Sequence, residues 1–135
     1  MTDESKNKKI LVIEEVEDDT SLRKVLRDKF KLEGFNVLEA RDGEEGLATA
    51  LHEHPDLILL DIIMPKMDGI TMMKKLRQQD EWGKNVPIIL LTNLSANDEK
   101  INQAVADNMP AYYLVKSNYT IEDLVDKIRE RLSRP

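Results

Sequence analysis

The sequence predicts an α/β domain built on one parallel β-sheet with helices on both faces. Three observations carry that expectation. Apolar runs of strand length recur along the chain, as in Ile10-Leu11-Val12-Ile13, Leu57-Ile58-Leu59-Leu60 and Ile88-Ile89-Leu90-Leu91, the pattern of strands buried on both faces. Between these runs the apolar residues return at helical spacing. The chain of 135 residues, 41% hydrophobic and 34% charged, suits one domain with a real core and a well-solvated surface.

Taken in order, residues 1–8 read as a polar, flexible tail, and residues 9–133 as the domain. The first strand is 10–13. Leu22, Val25, Leu26 and Phe30 follow at helical spacing, with Gly34 closing that helix. Phe35 to Ala40 reads as the second strand, and Asp42 opens a helix carrying Leu47, Ala50 and Leu51 on one face. Pro55 precedes the third strand, 57–60. A turn with Pro65 and Gly69 leads to a helix bearing Ile70, Met73 and Leu76. Pro87 opens the fourth strand, and Ser95 with Asp98 forms a capping-box pattern for a helix with Ile101, Ala104 and Val105. Tyr112 to Val115 is the fifth strand, and Thr120 begins a last helix striped by Ile121, Leu124, Val125, Ile128 and Leu132. Five strands alternating with five helices imply right-handed crossovers and a sheet covered on both sides.

Charge and composition exclude several functions. A net charge of -6 and a pI near 5.0 disfavour direct nucleic-acid or anionic-membrane binding. Cysteine is absent, so disulfides, thiolate metal sites and cysteine nucleophiles are excluded. No apolar run has the length of a membrane span and the polar start lacks a signal-peptide core, so a cytoplasmic location is expected.

In a parallel sheet the ligand crevice lies at the carboxyl ends of the strands. Glu14, Asp61, Thr92 and Lys116 are each the first polar residue after an apolar run, so they project from one edge. After the first strand, Glu14, Glu15, Glu17, Asp18 and Asp19 crowd into six residues. Carboxylates converging beside Asp61 would repel one another unless a cation neutralised them, and an all-oxygen set favours Mg²⁺ or Mn²⁺. A Thr hydroxyl and a Lys ammonium can serve a phosphoryl group. Carboxylate nucleophile, divalent metal, hydroxyl and Lys together describe formation of an aspartyl phosphate.

From Lys9 to Leu132 the chain resembles the receiver domain of two-component response regulators. The motifs are KKILVIE (8–14), EDDTSLR (17–23), DIIMPKMDG (61–69), PIILLTN (87–93) and YYLVK (112–116). The third matches the family's Asp-x-x-Met-Pro-x-Met-Asp-Gly pattern at every fixed position. The resemblance implies a flavodoxin-like three-layer α/β/α sandwich with strand order 2-1-3-4-5. It implies Asp61 as the residue phosphorylated by a sensor histidine kinase or phosphotransfer protein, with Thr92 and Lys116 on the phosphoryl group. Metal ligands would be Asp18, Asp61 and the backbone carbonyl of Ile63, with Glu14, Glu15 or Glu17 as the second acidic residue. Thr92 and Tyr113 would form the switch. The fourth helix, fifth strand and fifth helix would present the surface for a downstream protein or a phosphorylation-dependent homodimer.

The chain departs from the family pattern in four places. About three extra residues lie between Ile13 and Asp19. Counting forward from Lys9 makes Glu14 and Glu15 the acidic pair; counting back from Leu22-Arg23 makes it Glu17 and Asp18. The backward register would bury Glu14 and Glu15 inside a strand, at a cost of several kcal/mol per unpaired charge, so the strand is kept at 10–13. The family's Lys-Pro is Lys116-Ser117, where a cis bond would cost about 2.5–4 kcal/mol. Asn93 replaces a small residue, and Ile63 and Leu94 are apolar where polar residues orient hydrolytic water, which implies slow self-dephosphorylation. The competing reading is a phosphorylation-independent interaction module with a disabled acidic loop. A dehalogenase-like phosphatase is disfavoured because Asp61 is followed by Ile62-Ile63, not by a second Asp two residues on. A flavin carrier is disfavoured because the first loop is acidic. Trp82 is expected in a polar loop, His52 and His54 at a helix end, and Arg129 and Arg131 in solvent.

Overall fold

The computed structural model describes residues 7–14, 22–62, 64, 66–92, 99–108, 112–115 and 118–133. Its strands are β1 (Lys9–Ile13), β2 (Asn36–Ala40), β3 (Leu57–Asp61), β4 (Ile88–Thr92) and β5 (Tyr112–Val115). Its helices are α1 (Leu22–Leu32), α2 (Gly43–Glu53), α3 (Gly69–Arg77), α4 (Glu81–Asn85), α5 (Glu99–Asn108) and α6 (Ile121–Leu132). All strand pairs are parallel, and the order is β2-β1-β3-β4-β5.

Alternation along each strand divides the apolar residues between two cores. Leu11, Ile13, Ile58, Leu60, Ile88 and Leu90 face Ala50 of α2 and Met72, Met73 and Leu76 of α3. Ile10, Val12, Leu57, Leu59, Ile89 and Leu91 face Leu26 and Phe30 of α1 and Leu124, Val125 and Ile128 of α6. The strands β1, β3 and β4 are covered on both faces, which is why their sequences are continuously apolar. Truncating a fully buried Leu such as Leu59 to Ala would cost about 2–5 kcal/mol.

Side chains set the helix boundaries. Asp42 accepts from the Glu45 amide, Asp68 from Thr71 and Asp80 from Gly83, at 2.7–2.8 Å. Thr120 and Asp123 form a reciprocal capping box at the start of α6. Gly34 (φ 95) and His54 (φ 46) take the left-handed conformation after α1 and α2.

Four features correct or extend the sequence reading. A sixth helical segment, α4, occupies the stretch expected as a loop; Trp82 packs from it against the core and stacks on His54 at 4.2 Å. Phe35 lies outside β2 and meets Phe30 edge-on at 6.0 Å. Asn7 and Lys8, expected in the flexible tail, hydrogen-bond to Gly34 and Asn36. Arg129 is not simply solvated. It donates to the Glu33 carboxylate at 2.6 Å and carbonyl at 3.1 Å, and lies over the Phe35 ring. The Ser95–Asp98 capping pattern lies outside the described residues.

Candidate functional site

The strand registers assemble the expected edge. β1 stops at Ile13, which pairs with Leu60, so Glu14 and Asp61 are the next residues on adjacent strands. The Glu14 amide donates to Ala40 O at 3.2 Å, tying this end of β1 to β2. Asp61 pairs with Leu91, and Thr92 one step later pairs with Val115, the residue before Lys116. Glu14 is 8% exposed and Asp61 9%. Both residues thus sit at the carboxyl edge of the sheet, at the ends of neighbouring strands, largely withdrawn from water.

β1 ends at Ile13 with Glu14 just beyond it, the strand end expected from the sequence. Glu15, Glu17, Asp18, Ile63 and Lys116 lie outside the described residues, as does the Lys116–Ser117 peptide. Thr92 is the last residue of β4. Tyr113 is half-buried on β5 opposite Leu90 and packs against the α2–α3 core.

The end of β3 and the start of α3 meet through close backbone approaches. The Gly69 amide donates to Ile62 O at 2.8 Å, and a Cβ on Gly69 would lie 2.2 Å from the Asp61 carbonyl oxygen. Only glycine lets α3 begin against the end of β3. At the neighbouring helix, a Cβ on Gly43 would meet Met67 O at 2.1 Å. Asp42 is 8% exposed, and its Oδ2 faces Lys66 Nζ at 3.8 Å. Sequence reasoning saw Asp42 as a helix opener and passed over Lys66. The tie between the end of β1 and Ala40, two residues before Asp42, becomes visible only once β2 is placed beside β1.

The donor set suits a hard divalent cation. Glu14 and Asp61 offer carboxylate oxygens, and cysteine is absent from the chain. Among the described residues no group of three or more His, Asp or Glu side chains forms a complete metal cluster. No helix among them is long and apolar enough to cross a membrane.

The family model for the response regulator receiver domain matches residues 11–129. The chain belongs to that family. As a receiver domain it has the flavodoxin-like fold, with the strand order observed here. It is 38% identical over 128 residues to a probable transcriptional regulator, ycf27, of Porphyridium aerugineum, covering 93% of this chain and 48% of that protein. It is 36% identical over 128 residues to the alkaline phosphatase synthesis transcriptional regulatory protein PhoP of Bacillus subtilis, covering 95% and 50%. The chain therefore spans about half the length of these relatives. The receiver domain of the Francisella response regulator 1452 superposes with a TM-score of 0.80 at 30% identity, covering 95% of this chain and 98% of that one.

Proposed function

We propose that this receiver domain accepts a phosphoryl group on Asp61 from a histidine kinase or phosphotransfer protein. The observation that carries the reading is the placement of Asp61 beside Glu14 at the carboxyl edge of the sheet, both buried. An Asp61 carboxylate oxygen attacks phosphorus, the bond from phosphorus to the donor's histidine nitrogen breaks, and the leaving imidazole takes up a proton.

Glu14 and Asp61, with Asp18 and the Ile63 carbonyl, would hold Mg²⁺ or Mn²⁺. Bound there, the ion supplies positive charge that offsets repulsion between the carboxylates and the phosphoryl oxygens. Thr92 donates to a phosphoryl oxygen and Lys116 provides a counter-charge. Thr92 and Tyr113 then shift the surface of α5, β5 and α6, which a downstream protein or a second copy of the domain reads. The relatives named as transcriptional regulators are about twice as long. In such a protein this acidic domain would control DNA binding without touching DNA itself.

The test is intact-mass measurement after incubation with acetyl phosphate and Mg²⁺. One phosphoryl adduct is expected on the native chain and none on Asp61→Asn. An adduct on the variant refutes the site. Absence from both favours the phosphorylation-independent module.

A further inference from the structure

Asp42 is one of three buried acids among the described residues, with Glu14 and Asp61. Its two carboxylate oxygens face different ways. Oδ1 accepts from the Glu45 amide at 2.8 Å, while Oδ2 faces Lys66 at 3.8 Å. Lys66 holds φ at 66°, in the left-handed region where a side chain is disfavoured and Gly or Asn sits more easily. That conformation costs a Lys some stability, and the ammonium of this exposed side chain faces the largely buried Asp42 carboxylate. Gly43, beside Asp42, is pressed on Met67 O, and Ala40, two residues before Asp42, holds the Glu14 amide. Residues 40–43 thus touch Glu14 on one side and residues 66–67 on the other.

We propose that the Asp42–Lys66 pair is a positioning clamp for the phosphoacceptor site. It holds residues 66–67 against the β2–α2 turn, whose Ala40 anchors the Glu14 amide, and so supports the edge that would bind a divalent cation. This rests on the reading of Asp61 as the phosphoacceptor.

Charge alone and the clamp make opposite claims about one variant. Removing a cation beside an acidic site should tighten Mg²⁺ binding by simple electrostatics. If Lys66 is a clamp, Lys66→Asn instead weakens it, although Asn relieves the left-handed strain. Asp42→Asn keeps a capping oxygen but loses the ionic partner.

The experiment measures Mg²⁺ affinity by calorimetry, phosphoryl uptake from acetyl phosphate by intact mass, and thermal midpoint. It uses the native chain, Lys66→Asn, Asp42→Asn, the double variant and Lys66→Arg. Each Asn variant should weaken Mg²⁺ binding and slow uptake about two- to fivefold, the range open to an exposed ion pair. The double variant should be no worse than either single one, Lys66→Arg should be near native, and the midpoint of Lys66→Asn should hold or rise. Unchanged or tighter Mg²⁺ binding in Lys66→Asn overturns the clamp alone. A native chain that binds no Mg²⁺ and gains no adduct overturns the phosphoacceptor reading and the clamp with it.

Discussion

Replacing Gly69 by alanine isolates the close approach between α3 and the end of β3. The new Cβ would lie 2.2 Å from Asp61 O and 3.0 Å from both the Asp61 carbonyl carbon and Ile62 Cα. Carbon and oxygen rest at about 3.3 Å or more, so the gap must open by about 1 Å. Both surfaces are backbone, and no rotamer change can supply that room. Overpacking of this kind costs about 1–3 kcal/mol, and alanine recovers at most about 1 kcal/mol through helix propensity. The net loss, up to about 3 kcal/mol, at an m-value of about 2 kcal/mol per molar, lowers the urea midpoint by up to about 1.5 M. A shift of about 1 Å at the nucleophile's own backbone should slow phosphoryl uptake by about ten- to a hundredfold. Gly46→Ala is the comparison, because the three atoms nearest its Cβ all belong to the Ile13 side chain, Cδ1 first at 2.6 Å, and none is backbone. Equilibrium unfolding in urea and timed intact-mass measurement read both effects. If Gly69→Ala matches the native chain in midpoint and uptake, the contact does not position Asp61.

Three further outcomes are expected. Arg77 donates to Gly83 O at 2.9 Å and Val86 O at 2.7 Å, joining α3 to α4; Arg77→Met should cost about 1.5–3 kcal/mol in urea unfolding, and an unchanged midpoint would refute the staple. Hydrogen bonds from Arg129 and then Lys29 hold the Glu33 carboxyl below its ordinary pKa. A depressed carboxyl stabilises the fold above its unfolded-state pKa and loses that contribution as pH falls through the folded value. The stability gap between native and Glu33→Gln chains should therefore be present near neutral pH and close below the ordinary glutamate range, and a gap constant through acid titration would count against the pair. The phosphorylated domain should lose its phosphoryl group slowly, because Ile63 and Leu94 offer no side-chain group to orient water; decay within seconds, followed by intact mass, would contradict this.

The central strands were legible because burial on both faces leaves a continuous apolar run, and the first polar residue after each run marks the carboxyl edge. Asp61 and Glu14 were found that way. The α4 turn was missed because residues 81–85 carry one large apolar side chain, too few for a periodic signal. Its stability comes from Arg77, the Asp80 cap and the Trp82–His54 stack, contacts between separate elements. Arg129 escaped for the same reason: its partner Glu33 is 96 residues away. Gly43 and Gly69 show in the sequence as ordinary turn residues, and only packing reveals that neither tolerates a Cβ.

The two edges of the sheet are built on different physics. Helices in a parallel sheet run opposite to the strands, so helix C-termini gather at the strands' amino edge. Several directional contacts lie there: Arg77 on the Gly83 and Val86 carbonyls, His54 on Trp82, Arg129 on Glu33, and the Lys9 amide on Asp56 at 2.8 Å. The carboxyl edge instead holds Glu14, Asp42 and Asp61 under 10% exposure, with glycine-tight backbone contacts around them. Burying like charges together costs stability unless a cation joins them, and at this edge Lys66 faces Asp42. It follows that Arg77→Met, though destabilising, should leave the rate of phosphoryl uptake unchanged at temperatures where it is folded, whereas Gly69→Ala should lower both. Slowed uptake in folded Arg77→Met would mean that the amino edge also sets the site's geometry.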